Sequence, residues 1–248
     1  GEHRPWELDA DVVDAYRYYA KLHHQLVPYL YSAGVLAHQT GRPIIRDVDR
    51  KGRQYTLGED LLVAPIVTRD NERDVALPAG ARWHDYWNDD RVVSGPEIVR
   101  HGGSVQRMPL FIRAGAIIPM QVDDSETGHG GPASREHLTL LVYPDGESER
   151  TYHPDHDRAL TLRARSDGGG VTLETSPASE RYVLRIKAPS APSEVTLDRG
   201  SLQTLTPLPT WDAFEAAPEG WYYDGVRRYL WARFATQETA ARLAYTTE

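Results

Sequence analysis

Cysteine is absent from the 248 residues. Its absence excludes disulfides and thiolate metal sites while leaving the cellular compartment open. Long apolar runs are also missing. A membrane-spanning helix needs about 18–20 apolar residues in succession, and the longest candidate, Leu57 to Val67, is cut by Gly58, Glu59, Asp60 and Pro65, so no membrane partner is expected. There is no basic stripe either: Lys plus Arg number 28 against 36 for Asp plus Glu, giving a scattered net charge of −8. Nucleic-acid binding therefore lacks its electrostatic footprint. The N-terminus, Gly1-Glu2-His3-Arg4-Pro5-Trp6, shows neither an initiator Met nor a charged-then-apolar signal segment and reads as the interior of a longer polypeptide. What is present, 40% hydrophobic and 26% charged residues, is the composition of a folded globular chain long enough for two domains.

The first forty residues hold the one long helical pattern. Val12, Tyr16, Tyr19, His23, Leu26 and Leu30 recur at steps of four and three, which predicts one buried helix face with His23 as a hydrogen-bonded core residue. Asp9 and Asp11 suit the positive N-terminal end. Pro28 predicts a kink or break, with a second helical piece over 29–39 and a stop at Gly41. Pro43-Ile44-Ile45-Arg46 reads as a short buried strand after a helix, an α/β unit. From Tyr55 onward, short apolar stretches alternate with turn residues, which predicts antiparallel sandwiches whose strands have one wet face. Between Asp123 and Arg135 the composition turns to Asp, Ser, Thr, Gly and Pro; a linker without fixed structure is expected at 125–135.

Five segments then stand in order: Arg4-Pro5-Trp6 with Val27-Pro28-Tyr29-Leu30-Tyr31; Ala37-His38-Gln39-Thr40-Gly41-Arg42-Pro43; Gln54-Tyr55-Thr56-Leu57-Gly58-Glu59-Asp60-Leu61-Leu62-Val63-Ala64-Pro65; Leu77-Pro78-Ala79-Gly80-Ala81-Arg82-Trp83-His84-Asp85-Tyr86-Trp87; and Pro109-Leu110-Phe111-Ile112-Arg113-Ala114-Gly115-Ala116-Ile117-Ile118-Pro119. Together they resemble the C-terminal portion of glycoside hydrolase family 31, the α-glucosidase and α-xylosidase-like enzymes. The resemblance is strong over residues 4–120 and weak over 136–248. It departs at Asp47 to Arg53, which is shorter than in the family, and at Tyr152 to Asp157, where many relatives carry an acidic-Gly turn.

The resemblance implies a mainly β chain: the last helix and strand of a (β/α)8 barrel over 1–47, a proximal antiparallel β-sandwich over 48–124, a linker over 125–135 and a distal antiparallel β-sandwich over 136–248. It also implies a retaining hydrolase of α-linked glycosides. Such chemistry needs two carboxyl groups about 5–5.5 Å apart. In the family these are aspartates on earlier barrel strands, in motifs with no counterpart here, so no catalytic residue is expected in this chain. The expected role is to support the barrel and shape the substrate site. The implied partners are the catalytic barrel and, through it, an α-glucoside or α-xyloside; no cofactor is implied.

Candidate pocket neighbours are Arg4 and Trp6 in the first loop and Arg46 and Asp47 at the end of the strand, where a barrel's active face lies; for Arg46 the competing reading is a structural ion pair. His3 is too near Trp6 to take the family's sugar-binding His role. Trp221 and Tyr222, beside the Asp224-Gly225 turn, are candidates for stacking on a sugar, against simple hairpin packing. Trp83, Tyr86 and Trp87 read as sandwich core. His153, Asp155, His156 and Asp157 have ligand chemistry, but their spacing matches no zinc or calcium pattern, and no metal is expected. The alternative function is a carbohydrate-binding β-sandwich module without catalysis. A remnant without a task of its own, with residues 8–46 an orphaned barrel segment, is the third.

Overall fold

The computed structural model describes residues 4–48, 53–67, 72–102, 104 and 106–247; His3 and the stretch 49–52 lie outside them. After a short 3-10 turn at Pro5–Glu7, the helix α1 spans Ala10–Gln25 and α2 spans Val27–Thr40. The carbonyl of Asp9 accepts the N–H groups of Val12 and Val13 at the start of α1. Pro28 breaks the helical run as expected: it stands second in α2, where a missing N–H does no harm. Gly41, at φ +73°, ends α2 with its N–H on the carbonyl of Ala37. The buried face of α1 differs from the expected one. Ala15, Leu22, Gln25 and Leu26 are buried, whereas Tyr16 is 59% exposed and His23 lies in solvent. The stripe is rotated away from Tyr16 toward Tyr18 and Tyr19, whose hydroxyls meet Tyr86 and Met108.

The chain divides into two compact units, Gly1–His24 with Leu36–Ala114 and Gln25–Val35 with Gly115–Glu248. The strands of the first are β1 (Ile45–Asp47), β2 (Tyr55–Leu57), β3 (Leu61–Val63), β4 (Glu72–Leu77), β5 (Arg82–Asp85), β6 (Asn88–Ser94), β7 (Glu97–Gly102) and β8 (Leu110–Arg113). They form an antiparallel six-stranded sheet in the order β1-β2-β3-β8-β5-β6 and the two-stranded ribbon β4-β7. Leu62, Ala64, Val75, Leu77, Trp83, Val99 and Phe111 fill the space between them. The burial of each large side chain contributes about 1.5–3 kcal/mol.

The segment expected as a buried barrel strand is here an edge strand of this sheet. Ile45 pairs with Leu57 and Asp47 with Tyr55, antiparallel, and Ile45 is 58% exposed. An apolar β-branched run announces a strand, but its partner and its burial are set by which backbone is free to pair, and here that is β2.

The second unit contains β9 (Ile117–Gln121), β10 (Leu138–Val142), β11 (Glu147–Tyr152), β12 (Leu160–Ser166), β13 (Gly170–Ala178), β14 (Arg181–Lys187), β15 (Pro192–Asp198), β16 (Leu202–Thr204), the helix α3 (Trp211–Ala216), β17 (Gly220–Asp224), β18 (Tyr229–Ala235) and β19 (Thr239–Thr247). Two sheets, β17-β18-β14-β10-β9 and β11-β12-β13-β19-β15-β16, make a sandwich. Its core runs from Leu138, Leu140, Leu184 and Phe234 on one side to Leu162, Leu173, Val195 and Leu243 on the other.

Three details depart from the sequence reading. β9, expected in the proximal sandwich that was to end at 124, pairs with β10 in the second unit. β10 and β14 run parallel, because the chain leaves for the facing sheet through β11–β13 before it returns, the crossover that parallel neighbours require. The stretch expected as a linker is folded. Thr127 donates to Gln25 at 2.6 Å, Pro132–Ser134 forms a 3-10 turn, and His129 and Ser134 are buried. A Cβ on Gly131 would fall 1.7 Å from Glu215 Oε1. Close backbone approach and polar contacts order this segment where apolar area does not.

Candidate functional site

The residues singled out in the sequence do not gather into one catalytic pocket. Arg4 pairs with Glu7 at 3.1 Å, three residues on, and Trp6 between them is 70% exposed. Arg46 donates to the carbonyls of Gly58 at 2.6 Å and Pro43 at 3.3 Å, so this guanidinium caps a turn and ties the edge of the first sheet. Asp47 ends β1 on the exposed side.

Trp221 and Tyr222 are consecutive on β17 and so point to opposite faces of their sheet. Trp221 packs on the sandwich core and its indole N–H donates to the carbonyl of Leu205 at 3.1 Å. Tyr222 lies in the other apolar cluster with Trp211, Phe214 and Trp231, its ring centroid 6.2 Å from that of Trp211. Both rings are engaged in packing. The turn beyond them is held by Asp224 Oδ1, which accepts the N–H groups of Val226 and Arg227 at 3.0 Å each.

Trp83 is core, as expected, with its indole N–H on the carbonyl of Pro78. Tyr86 and Trp87 instead receive α1. The hydroxyls of Tyr18 and Tyr86 are 2.7 Å apart, Trp87 donates to the carbonyl of Met108, and the Tyr19 hydroxyl accepts from the N–H of Met108 at 2.7 Å. Asp155 organises its own loop, accepting from the N–H groups of Asp157 and Arg158 and from the Arg158 side chain at 2.6 Å. His153 Nδ1 meets the carbonyl of Arg158. Among the described residues no group of three or more His, Cys, Asp or Glu side chains could hold a metal ion.

The carboxylates that the first unit brings together are held in ion pairs. Arg100 holds Glu72 at 2.6 Å and Asp74 at 3.2 Å, both well exposed. Burial opposes the charge of Asp85, but hydrogen bonds from His101 and from the N–H of Trp87, with Arg91 nearby, outweigh it and hold its pKa below the ordinary value. A general acid at neutral pH needs the opposite environment, a carboxyl raised by apolar surroundings.

Comparison with known proteins decides the class. A family model, the glycosyl hydrolase family 31 C-terminal domain, matches residues 38–118. The isomaltosyltransferase of Sporosarcina globispora is 26% identical over 96% of this chain and 23% of its own length. An α-glucosidase of Saccharolobus solfataricus is 34% identical over 42% of this chain. The solved cycloalternan-forming enzyme of Listeria monocytogenes, in complex with a pentasaccharide substrate, superposes over 98% of this chain with a TM-score of 0.86 and 28% identity. Residues 38–118 thus carry the family 31 C-terminal domain, and nearly the whole chain is similar to the C-terminal portion of such enzymes. It spans about a quarter of the length of such relatives, 23% and 25% in the two that match it throughout.

The family segments of this portion serve the fold. The Gln54 side chain both donates to the carbonyl of Ala76 at 2.6 Å and accepts its N–H at 3.0 Å, replacing a strand partner in the core of the first unit. The carbonyl of the buried Asp60 accepts the N–H of Arg113. Gly58, Gly80 and Gly115 stand at positive φ where turns demand it. What sequence reading missed is a row of alternating charges across the outer face of the distal sheet, because neighbours in the row lie far apart in the chain and meet only through strand register.

Proposed function

We propose that this chain is the non-catalytic C-terminal part of a retaining α-glycosidase or α-glycosyltransferase of family 31. In this reading it buttresses a catalytic barrel and shapes the substrate site, while the two carboxylates that break the glycosidic bond lie in polypeptide outside these 248 residues. The supporting observation is similarity that covers nearly all of this chain but only a quarter of enzymes named for work on α-linked glucosides. The substrate class proposed is an α-glucoside; an α-xyloside is the variant, since one relative is named an α-xylosidase. Among the described residues no helix is long and apolar enough to cross a membrane.

Within this reading Arg4 and Trp6, and Arg46 and Asp47 at the sheet edge, are the proposed neighbours of the substrate pocket. The exposure of Trp6 supports a contact made by a surface outside this unit, since a large exposed aromatic is what such surfaces use. The test is direct. Nitrophenyl α-glucoside and α-xyloside should not be turned over by the purified 248-residue chain. Turnover that a single Asp or Glu substitution within it abolishes would overturn the reading.

A further inference from the structure

On the outward face of the sheet β11-β12-β13-β19-β15-β16, strand register sets Glu149 opposite Arg163, Arg163 opposite Glu174, Glu174 opposite Arg242 and Arg242 opposite Asp198. One row of alternating sign therefore crosses five strands. The contacts within it are ion pairs, 2.6 Å for Arg163 with Glu149 and 3.4 Å for Arg242 with Glu174. On one side of the row a cleft of about 540 Å³ opens, because the neighbouring positions are small: Ser176, Ala240 and Gly200. On the other side a second cleft of about 320 Å³ shares Arg163, Glu174 and Arg242 with the first.

We propose that this row and its two clefts form a docking face for a neutral polyhydroxylated chain of the α-glucan class. The proposal rests on the reading that the parent enzyme works on α-linked glucosides. Three carboxylates and two guanidiniums nearly cancel, so the face attracts neither a polyanion nor a polycation. Carboxylates accept and guanidiniums donate in bidentate fashion, which suits the vicinal hydroxyls of a sugar. The ion pairs are about half open to water or more, with side-chain exposures of 60% and 49% for Arg242 and Glu174, and such pairs contribute little to stability. Exchanging them for contacts to hydroxyls therefore costs little. Among the described residues no aromatic ring lines either cleft, so the affinity expected is weak, on the order of millimolar.

The test is titration of the isotopically labelled protein with maltotriose and isomaltotriose to about 50 mM, with cellotriose as control, read from backbone amide shifts. Saturable shifts are expected at Ser176, Ala240 and Arg242 with the α-linked sugars. Arg242→Gln and Glu174→Gln should each weaken binding about five-fold without changing the thermal midpoint, and Ala240→Glu, which fills the larger cleft, should abolish it. No saturable shift on this sheet, or binding untouched by all three substitutions, overturns the proposal. So does a concentration-dependent dimer in sedimentation that buries this face. Equal response to cellotriose would instead sink the α-glucoside reading beneath it. Hydrolysis of α-glucosides by the complete enzyme with no shift on this sheet would sink the docking face alone.

Discussion

The guanidinium carbon of Arg185 lies over the ring of Tyr229, 3.6 Å from its centroid and 5.8 Å from that of Trp231. Arg185 is 9% exposed, and among the described residues no carboxylate pairs with it. Lys187 Nζ stands 4.8 Å over the same tyrosine and donates to the carbonyl of Arg227, while Arg233 donates to the carbonyls of Glu215 and Ala217. This face of β14 and β18 thus keeps three cations under cover with aromatic faces and carbonyl dipoles close by.

That arrangement makes the ring more important than the charge. Tyr229→Ala should destabilise the second unit by about 3–5 kcal/mol, from the cavity and from the cation left without its partner. Arg185→Met, which keeps the volume and removes the buried charge, should be neutral or stabilising. Urea midpoints at constant slope measure both; a larger loss for Arg185→Met than for Tyr229→Ala would refute the account.

These same strands show where sequence reading stops. Tyr182-Val183-Leu184-Arg185-Ile186 is one of the short apolar stretches legible as a strand, and a strand there is expected to keep one wet face. The wet face is not wet: Val183 and Arg185 lie buried with Phe214 and Trp231 below α3. A cation that rests on an aromatic and a cation that rests in water look alike in one dimension. The helix break at Pro28, the core place of Trp83 and the family itself were legible because each depends on local chemistry or on motif order. The rotated face of α1, the fold of residues 125–135 and the charge row depend on partners distant in the chain, and no local period encodes them.

Stability should fall on mild acidification. Burial, aided by the charges of Arg233 and Arg181, lowers the His137 pKa from 6.5 to about 4, and burial with Arg185 nearby holds His129 well below its ordinary value. In the unfolded chain both imidazoles protonate near pH 6.5, so their neutral burial costs nothing above that pH. As pH drops from about 6.5 toward 4 the unfolded state takes up protons that the folded state refuses, and stability is lost. For His137 the loss is at most about 3 kcal/mol, reduced by the part of the ring that water screens. Melting between pH 7 and 4.5 should show the decline, and His137→Gln and His129→Gln should each flatten it. A flat wild-type profile would contradict the assignment.

Helix α1 is fastened to its unit through Tyr19. Burial raises its pKa to about 12, although the hydrogen bond from Met108 pulls the other way. Tyr19→Phe leaves the N–H of Met108 without that acceptor and should cost about 1–3 kcal/mol. In an ultraviolet pH titration the same substitution should remove a late-ionising tyrosine and leave the early ones unchanged. Loss of an early-titrating group instead would show that Tyr19 is open to solvent.

Two glycines two residues apart test whether space or backbone angle governs the hairpin between β12 and β13. At Gly170 an added Cβ would fall 2.4 Å from the carbonyl oxygen of Tyr245, on the paired strand β19. Backbone cannot yield as a flexible side chain can, so Gly170→Ala must push β13 and β19 apart, at about 1–3 kcal/mol. Gly168 has open space around it but stands at φ +78°, where an L side chain is strained by about 1 kcal/mol. The larger loss should therefore fall on Gly170→Ala, and its amide protection along β19 should drop near Tyr245 and Thr246 while Gly168→Ala leaves that strand as it was. The reverse order of the two losses would mean that the turn, not the strand contact, fixes this edge of the sandwich.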